Sequence, residues 1–330
     1  MTVRDIAKIA NVSPATVSNV INNRPGVSEE TRRKVKKIID ENNYQIKSKA
    51  NISTGNILFL KYMTHGRAVK DNKGFITSLI DSIEKKCHSY GFDLTFMNAT
   101  PKDINDTIVK INGMKPDGVI FLATEYRSGI DDFVKDILVP VVALDNSMNY
   151  DNVDTVLMNN RRILHSILKY LTSRNNKNIL YIKSNEQIDN LDERYLYFKE
   201  YMIKNKYELF DPIEVTPNLL GSYNDLYRVY DDIDWLSYDA VVCDLDAIAL
   251  GLLRVFDERN MEVPKKISVV GIDNIPYSSI SKPFLTTVDI DKEEIGKSVV
   301  SLIRRRINEE EFPKTVIKID GKLIIRDSTR

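Results

Sequence analysis

From residue 56 onward, short apolar runs alternate with stretches that have the length and period of helices. The runs are ILFL, DLTFM, GVIFLA and VPVVAL in a first series, and NILYI, DAVVC and ISVVGI in a second. This alternation predicts βαβ units, in which parallel sheets carry helices on both faces. Two such series predict two similar α/β lobes, and ligands bind folds of this kind at the carboxyl ends of the strands.

The end of the chain extends the same pattern. After Pro283 we expect a strand in LTTVDI, a helix over about 291–308 and two short strands. The boundary between the lobes is expected near residues 157–160. The first lobe is then about 57–157 plus part of 286–320, and the second is about 158–285 plus the C-terminal end.

The start of the chain has a different period, that of three short helices. Ser13 is a typical cap for the second helix, because Pro14 follows it at a position where a missing N–H costs nothing. Ser28 is expected to cap the third helix, and Asn11 can adopt the left-handed conformation that ends the first. The side chains expected to face inward are Ile6, Ala7, Ile9, Ala10, Val17, Val20, Ile21, Val35, Ile38 and Ile39.

This spacing predicts a small all-α helix-turn-helix head over residues 1–46, with the third helix ending near 42–43. Residues 47–56 are polar and carry no apolar period, so they are interpreted as a short hinge or linker. The remaining residues, 57–330, form the predicted body.

Charge is distributed unevenly between these parts. Residues 1–50 contain ten Lys or Arg and five Asp or Glu, which gives a net charge of +5. The other 280 residues contain 37 basic and 42 acidic residues, which gives −5. A basic head on a mildly acidic body suggests that the head meets a polyanion, although a surplus of this size is also typical of a solvated face.

Several classes of function find no support in the sequence. His65, His88 and His165 have no ligand-like spacing, so we predict no metal. The motifs GxSxG, GxxxxGK[ST] and GxGxxG are absent, so we predict no enzyme and no cofactor. There is no apolar run long enough for a membrane span and no secretory signal, and two distant cysteines fit a reducing interior. We therefore expect a cytoplasmic protein.

Many stretches resemble the lactose-repressor (LacI/GalR) family of bacterial transcription regulators, in the order of that family. They are TVRDIAKIANVSPATVSNVINN, VSEETRRKVKKIIDENNY, GFDLTFMN, KPDGVIFLA, LVPVVALD, ERYLYF, DLDAIALGLLR, VPKKISVVGIDNIP, PFLTTVDIDKEEIGK and the ending LIIRDSTR. The resemblance implies a body with the two-lobed architecture of periplasmic binding proteins. It also implies a homodimer whose heads bind near-palindromic operator DNA, and a small effector, usually a sugar or nucleobase-type metabolite, held in each body.

The second helix of the head is the expected recognition helix, which presents its N-terminal residues to base edges in the major groove. Ala15 offers a methyl group suited to thymine, and Asn19 can bond adenine N6 and N7 where many relatives carry an arginine that favours guanine. We therefore expect A·T pairs opposite Ala15 and Asn19, with a phosphate or water contact as the alternative for Asn19. The residues expected to face DNA are Thr2, Ser13, Pro14, Ala15, Thr16, Ser18, Asn19, Asn22, Arg24 and Lys47.

The hinge departs from the family pattern. Relatives carry a Pro-Asn and an Ala-Arg-x-Leu segment, whose leucine wedges into the minor groove. This chain has QIKSKANISTGN instead, about four residues shorter and without the proline, arginine and leucine. We expect weak DNA contacts through Lys47 and Lys49, with Ile46 or Ile52 as alternative wedges.

Resemblance to the family also implies an effector site between the lobes. Arg194 and Asp273 fall on an arginine and an aspartate that bind effectors in relatives, and such a pair can hold vicinal hydroxyls or a polar ring. A structural ion pair is the alternative for these two residues, and a core or rim position is the alternative for the aromatic residues. The residues expected to bind the effector are Phe75, Asp145, Arg194, Tyr223, Asp246 and Asp273.

These observations predict a sequence-specific transcription regulator, a repressor whose operator affinity is controlled by a small metabolite. One alternative is a constitutive DNA-binding regulator with a degenerate effector cleft. Another is a solute-binding protein for transport, which the helix-turn-helix and the absence of a signal peptide argue against.

Overall fold

The computed structural model describes residues 3–21, 27–41, 55–66, 73–127, 133–146, 153–308 and 313–330. The chain divides into two compact units, residues 1–52 and 53–330, which we call the head and the body. Within the described ranges, no helix combines the length and the apolar character needed to cross a bilayer.

Three helices build the head: α1 Val3–Ala10, α2 Pro14–Ile21 and α3 Glu29–Glu41. Asn11 has a left-handed backbone (φ 55°) and ends α1, as predicted. The Ser13 hydroxyl accepts a hydrogen bond from the Thr16 amide at 3.0 Å, and the Ser28 hydroxyl accepts one from the Thr31 amide at 3.3 Å. Both predicted caps are therefore present, and the predicted helix-turn-helix is confirmed.

The core of the head joins all three helices through Ile6, Ala7, Ala10, Val17, Val20, Val35 and Ile38. Ile9 was expected in this core, but its side chain is 53% exposed. The expectation was wrong because Ile9 lies at the edge of the face defined by Ile6, Ala7 and Ala10 at 100° per residue.

The body is built from twelve strands and seven helices in its described residues. The strands are β1 Gly55–Tyr62, β2 Phe92–Ala99, β3 Gly118–Leu122, β4 Val141–Leu144, β5 Asp154–Met158, β6 Ile179–Ser184, β7 Ile213–Val215, β8 Ala240–Cys243, β9 Ser268–Val270, β10 Thr287–Ile290, β11 Val316–Ile319 and β12 Gly321–Ile324. The helices are α4 Lys73–Ser89, α5 Ile104–Met114, α6 Asn160–Ser173, α7 Asp189–Lys204, α8 Leu219–Val229, α9 Asp246–Glu258 and α10 Lys292–Asn308, with short 3₁₀ turns at Val134–Asp136, Tyr230–Asp232, Trp235–Ser237 and Pro276–Ser279.

Two parallel sheets form the two lobes. The first sheet has the order β11-β5-β4-β3-β1-β2, and the second has the order β7-β6-β8-β9. The chain passes from the first sheet to the second after β5 and returns through α10 to place β11 beside β5. The predicted α/β fold is confirmed, with one difference: LTTVDI forms β10, which pairs antiparallel with β12 in a separate small sheet.

Helices cover both faces of each sheet, so inner strands such as β3, β4 and β8 are buried on two sides. In the second lobe, α6 and α7 pack on one face, and α8 and α9 pack on the other. In the first lobe, α4 and α10 cover one face, and α5 covers the other. Continuous apolar strands are what such double coverage requires. It leaves the carboxyl ends of the strands as the place where polar side chains gather.

Candidate functional site

A cavity lies between the two lobes of the body and is lined by residues of both. The carboxyl ends of β3, β4 and β5 meet it from the first lobe, and α7 and the segments after β8 and β9 meet it from the second. Twelve of the seventeen described residues that line it are apolar. The polar residues among them are Thr124, Asp145, Asn190, Arg194 and Asp273.

Asp145 directly follows β4 and has a left-handed backbone (φ 67°), which is uncommon for a residue other than glycine. The Thr124 hydroxyl donates to Asp145 Oδ2 at 2.8 Å. Oδ1 is buried and has no hydrogen-bond partner among the described residues. The pKa of Asp145 is raised to about 6, chiefly by burial and in smaller part by the charges of Asp273 and Glu193, while Thr124 and Arg194 oppose the rise.

Arg194 lies on α7, and its guanidinium is fully buried. Its Nε donates to Asn160 Oδ1 at 3.2 Å, one terminal nitrogen donates to the backbone oxygen of Asp244, and the other lies 3.2 Å from the sulfur of Met158. Asp273 Oδ1 lies 3.5 Å from the same nitrogen, Nη2. The cation is therefore held by the protein on several sides at once.

The ion pair between Arg194 and Asp273 is almost completely buried, with side-chain exposures of 1% and 3%. The pair was the structural alternative considered for these residues, and it is present. Both residues also line the cavity, so the ion pair and a contact with a ligand are compatible with each other. Phe75, at the start of α4, lines the cavity too and is 4% exposed.

The structure places Tyr223 outside the cavity lining, and its contact with an effector stays a prediction. Its ring lies on α8 beside Tyr227, and its hydroxyl donates to Glu258 on α9 at 2.9 Å. The helical period directs Tyr223 towards the surface between α8 and α9.

Asp246 also lies outside the cavity lining, so its contact with an effector stays a prediction as well. Asp246 is the first residue of α9 and is fully buried. Its carboxylate accepts hydrogen bonds from the Ile275 amide at 3.0 Å and from the hydroxyls of Ser278 and Thr287. Burial and the charge of Asp273 raise its pKa to about 6. These three hydrogen bonds stabilise the loop after β9.

Sequence reasoning missed a polar cluster that joins the lobes. Glu125, just beyond β3, accepts from the amides of Thr64, His65 and Gly66 at 2.8, 3.1 and 2.9 Å. His65 Nδ1 lies 3.5 Å from Glu125 in the first lobe, and Nε2 lies 3.4 Å from Glu186 in the second. The signal that could have found Glu125 is its place after a buried strand, the same signal that marks Asp145.

The DNA-facing prediction concerns mainly α2. Val17 and Val20 are buried, whereas Ser13, Pro14 and Ala15 are exposed and Thr16 and Asn19 are half-buried. Ser13 and Thr16 share a hydrogen bond between their hydroxyls at 2.9 Å. The structure thus presents these side chains on one helix, and Ser18 lies within the same helix. Thr2, Asn22, Arg24, Lys47 and the hinge around Lys49 lie outside the described residues.

A metal centre finds no support in the ranges that the structure describes, where no group of three or more His, Cys, Asp or Glu side chains could hold an ion. Cys87 and Cys243 are free thiols in separate buried positions. Burial raises the pKa of both thiols, which makes them poor nucleophiles.

Comparison with known proteins supports both parts of this architecture. The model of the bacterial regulatory proteins of the lacI family matches residues 2–46, and the model of the periplasmic binding protein-like domain matches residues 168–329. The HTH-type transcriptional repressor PurR of Vibrio parahaemolyticus serotype O3:K6 is 27% identical over 337 residues, which cover 100% of this chain and 98% of that protein. PurR of Pasteurella multocida is 28% identical over 341 residues, with the same coverage of both chains.

Solved structures share the fold over the whole chain. The transcriptional regulator CelR in complex with cellobiose has a TM-score of 0.69 and 23% identity, and the alignment covers 99% of both chains. The lac repressor dimer bound to operator and the anti-inducer ONPF has a TM-score of 0.70 and 19% identity, covering 100% of this chain and 99% of that one. With a matching head, a matching body and full-length relatives, this chain belongs to the LacI/GalR family of bacterial transcription regulators.

Proposed function

We propose that this chain is a transcription repressor that binds a near-palindromic operator as a homodimer and responds to a small metabolite. Its relatives include the PurR repressors and a lac repressor structure that contains a dimer on operator DNA. The proposed place of action is the cytoplasm, at the nucleoid when DNA is bound. No part of this function requires catalysis by the chain itself.

One observation carries the proposed control by a metabolite. Asp145 follows a strand of the first lobe and Asp273 follows a strand of the second, and both line the same cavity. A ligand in the cavity therefore touches both lobes, so its affinity depends on how the lobes are arranged. Only such differential affinity can move a protein between two states.

Small sugar-like molecules are the first compounds to test as effectors. CelR with cellobiose is among the similar structures, as is a regulator from Alkaliphilus metalliredigens in complex with D-xylulofuranose. Two carboxylates and one guanidinium can hold hydroxyl groups in directional geometry.

Constitutive DNA binding is the second candidate, and the contacts that hold Arg194 to Asn160, Asp244 and Asp273 within the protein favour it. Selection of bound DNA from a random pool, with and without a metabolite mixture, separates the two candidates. A repressor under metabolite control enriches one operator, and the mixture changes its retention. If the retained amount of operator DNA is the same with every mixture, constitutive binding is supported. Failure to enrich any operator contradicts both candidates.

The role of Asn19 is tested on the selected operator. If Asn19 bonds an adenine, Asn19→Ala costs about 1–3 kcal/mol at one base pair and relaxes the preference there. Affinity for each single-base variant of the operator, measured by fluorescence anisotropy, gives the result. An equal loss on every variant would show a phosphate contact instead.

A further inference from the structure

The cavity is mainly apolar away from its polar end. Phe75, Leu79, Leu122 and Ile295 are all buried and contribute to a wall of hydrocarbon side chains. A ligand made only of hydroxyl groups would lose its hydration along this wall without gaining hydrogen bonds. An apolar ligand body avoids that cost and gains from the removal of its surface from water.

The polar end offers acceptors. Asp145 Oδ1 is buried and has no hydrogen-bond partner among the described residues, and Asp273 faces the same space from the other lobe. A buried acceptor without a donor is costly, and a ligand donor removes that cost. The left-handed backbone of both aspartates (φ 67° and 116°) shows that the chain holds them in uncommon conformations at this place.

Among the described residues that line the cavity, Arg194 is the sole cation. Asn160, the carbonyl of Asp244 and Asp273 surround its guanidinium, so an anionic group would compete with these partners for it. Lys292 lies nearby, 5.2 Å above the Phe75 ring, but its ammonium donates to the carbonyl oxygens of Asp273 and Ile290. A phosphate or carboxylate would meet two carboxyl groups instead.

From these three features we infer that the cavity takes a ligand without an anionic group, in which an apolar body carries a hydrogen-bond-donating head. The inference rests on the proposed function, because it names the class of molecule that would act as the effector. The head pairs with Asp145 and Asp273, and the body lies along the apolar wall. Glycosides with an apolar aglycone and aryl or alkyl amines share this chemistry.

Matched probes test the inference on the full-length chain. Phenyl β-D-glucopyranoside and benzylamine have the required features, phenyl β-D-glucuronide and benzoate are their anionic counterparts, and glucose lacks the apolar body. At millimolar concentration, one or both of the first pair should raise the thermal midpoint with increasing concentration, and the anionic compounds should not. Which of the two succeeds distinguishes a glycoside from an amine. Equal or larger shifts with phenyl β-D-glucuronide, benzoate or glucose, or no shift with either of the first pair, would overturn the inference.

Two variants show whether the response comes from this cavity. Asp145→Asn should weaken binding of the successful probe by about tenfold or more, because an ionised acceptor is lost. Asp257→Asn, at an exposed position on α9, should leave it unchanged. Unchanged binding in Asp145→Asn would place the probe elsewhere and contradict the inference. Operator binding is measured separately, so loss of DNA recognition with intact probe selectivity would contradict the proposed function alone.

Discussion

Because Asp145 is buried, its carboxyl group holds its proton more firmly in the folded protein than in the unfolded chain. Its pKa is about 6 in the folded protein, against about 4 for an unfolded aspartate. A folded-state pKa above the unfolded value stabilises the fold below about pH 4, and this contribution is lost as the pH rises through about 6. Asp145 thus weakens the unliganded body at neutral pH.

Asp145→Asn should therefore remove a pH dependence from the stability of the body. Between pH 4 and 7, the free energy of unfolding of the wild type should fall relative to the variant by roughly 2–3 kcal/mol. Urea unfolding at a series of pH values measures this difference. Asp257→Asn is the control, and its free energy of unfolding should change with pH as that of the wild type does. The same pH dependence in the wild type and in Asp145→Asn would contradict the prediction.

Arg194 is buried and held by Asn160, the carbonyl of Asp244 and Asp273, so we expect it to contribute to the stability of the body. Arg194→Met should leave Asp273 as a buried carboxylate without its cation and cost about 3–5 kcal/mol of unfolding free energy. Chemical denaturation measures the loss. Arg161→Ala removes a 73%-exposed arginine from α6 and should cost less than about 1 kcal/mol. Equal effects of the two substitutions would contradict the central place given to Arg194.

At the scale of elements, α2 begins in the same way as α3, with a serine hydroxyl that accepts from the amide three residues later. Ser13→Ala removes an acceptor worth about 1 kcal/mol from the start of the recognition helix. The Thr16 amide should then exchange its hydrogen about fivefold faster. Ser28→Ala is the matched control and should speed exchange at Thr31 instead. An unchanged rate at Thr16 in Ser13→Ala would show that the cap does not stabilise α2.

At the scale of the whole body, the cavity is closed at one edge by polar contacts between the lobes. His65 links the first lobe to Glu186 in the second, and Asn146 of the first lobe donates to Asp189 of the second at 3.2 Å. These contacts form only when the lobes approach each other. They therefore favour the arrangement in which the cavity is enclosed.

A double-mutant cycle tests this link. His65→Ala and Glu186→Ala should show a coupling energy of about 0.5–1 kcal/mol in unfolding experiments. The control is the pair His88 and Glu84 within α4, which lies 3.8 Å apart with both side chains about half exposed. Its coupling should not exceed about 0.5 kcal/mol. A coupling near zero for His65 and Glu186 would show that they do not hold the lobes together.

Local patterns in the sequence determined the elements of this protein. Ser13, Ser28 and Asn11 act through atoms within a few residues of their own positions, so their roles in the head could be predicted without knowing the fold. The strand runs were recognisable because a sheet covered on both faces needs continuous apolar segments. The departure from parallel pairing, β10 against β12, was not visible because pairing joins distant segments.

Only part of the candidate site could be predicted from the sequence. The resemblance to the family located Arg194, Asp145, Asp273 and Phe75, all of which line the cavity. Helix rotation and packing decided the rest: Tyr223 faces the surface beside α9, and the donors around the loop after β9 occupy Asp246. The pairing of His65 with Glu186 joins residues more than a hundred positions apart. Local sequence therefore determined which elements form, whereas only tertiary packing decided which polar atoms remain open to a ligand, because burial and hydrogen bonding depend on neighbours from distant parts of the chain.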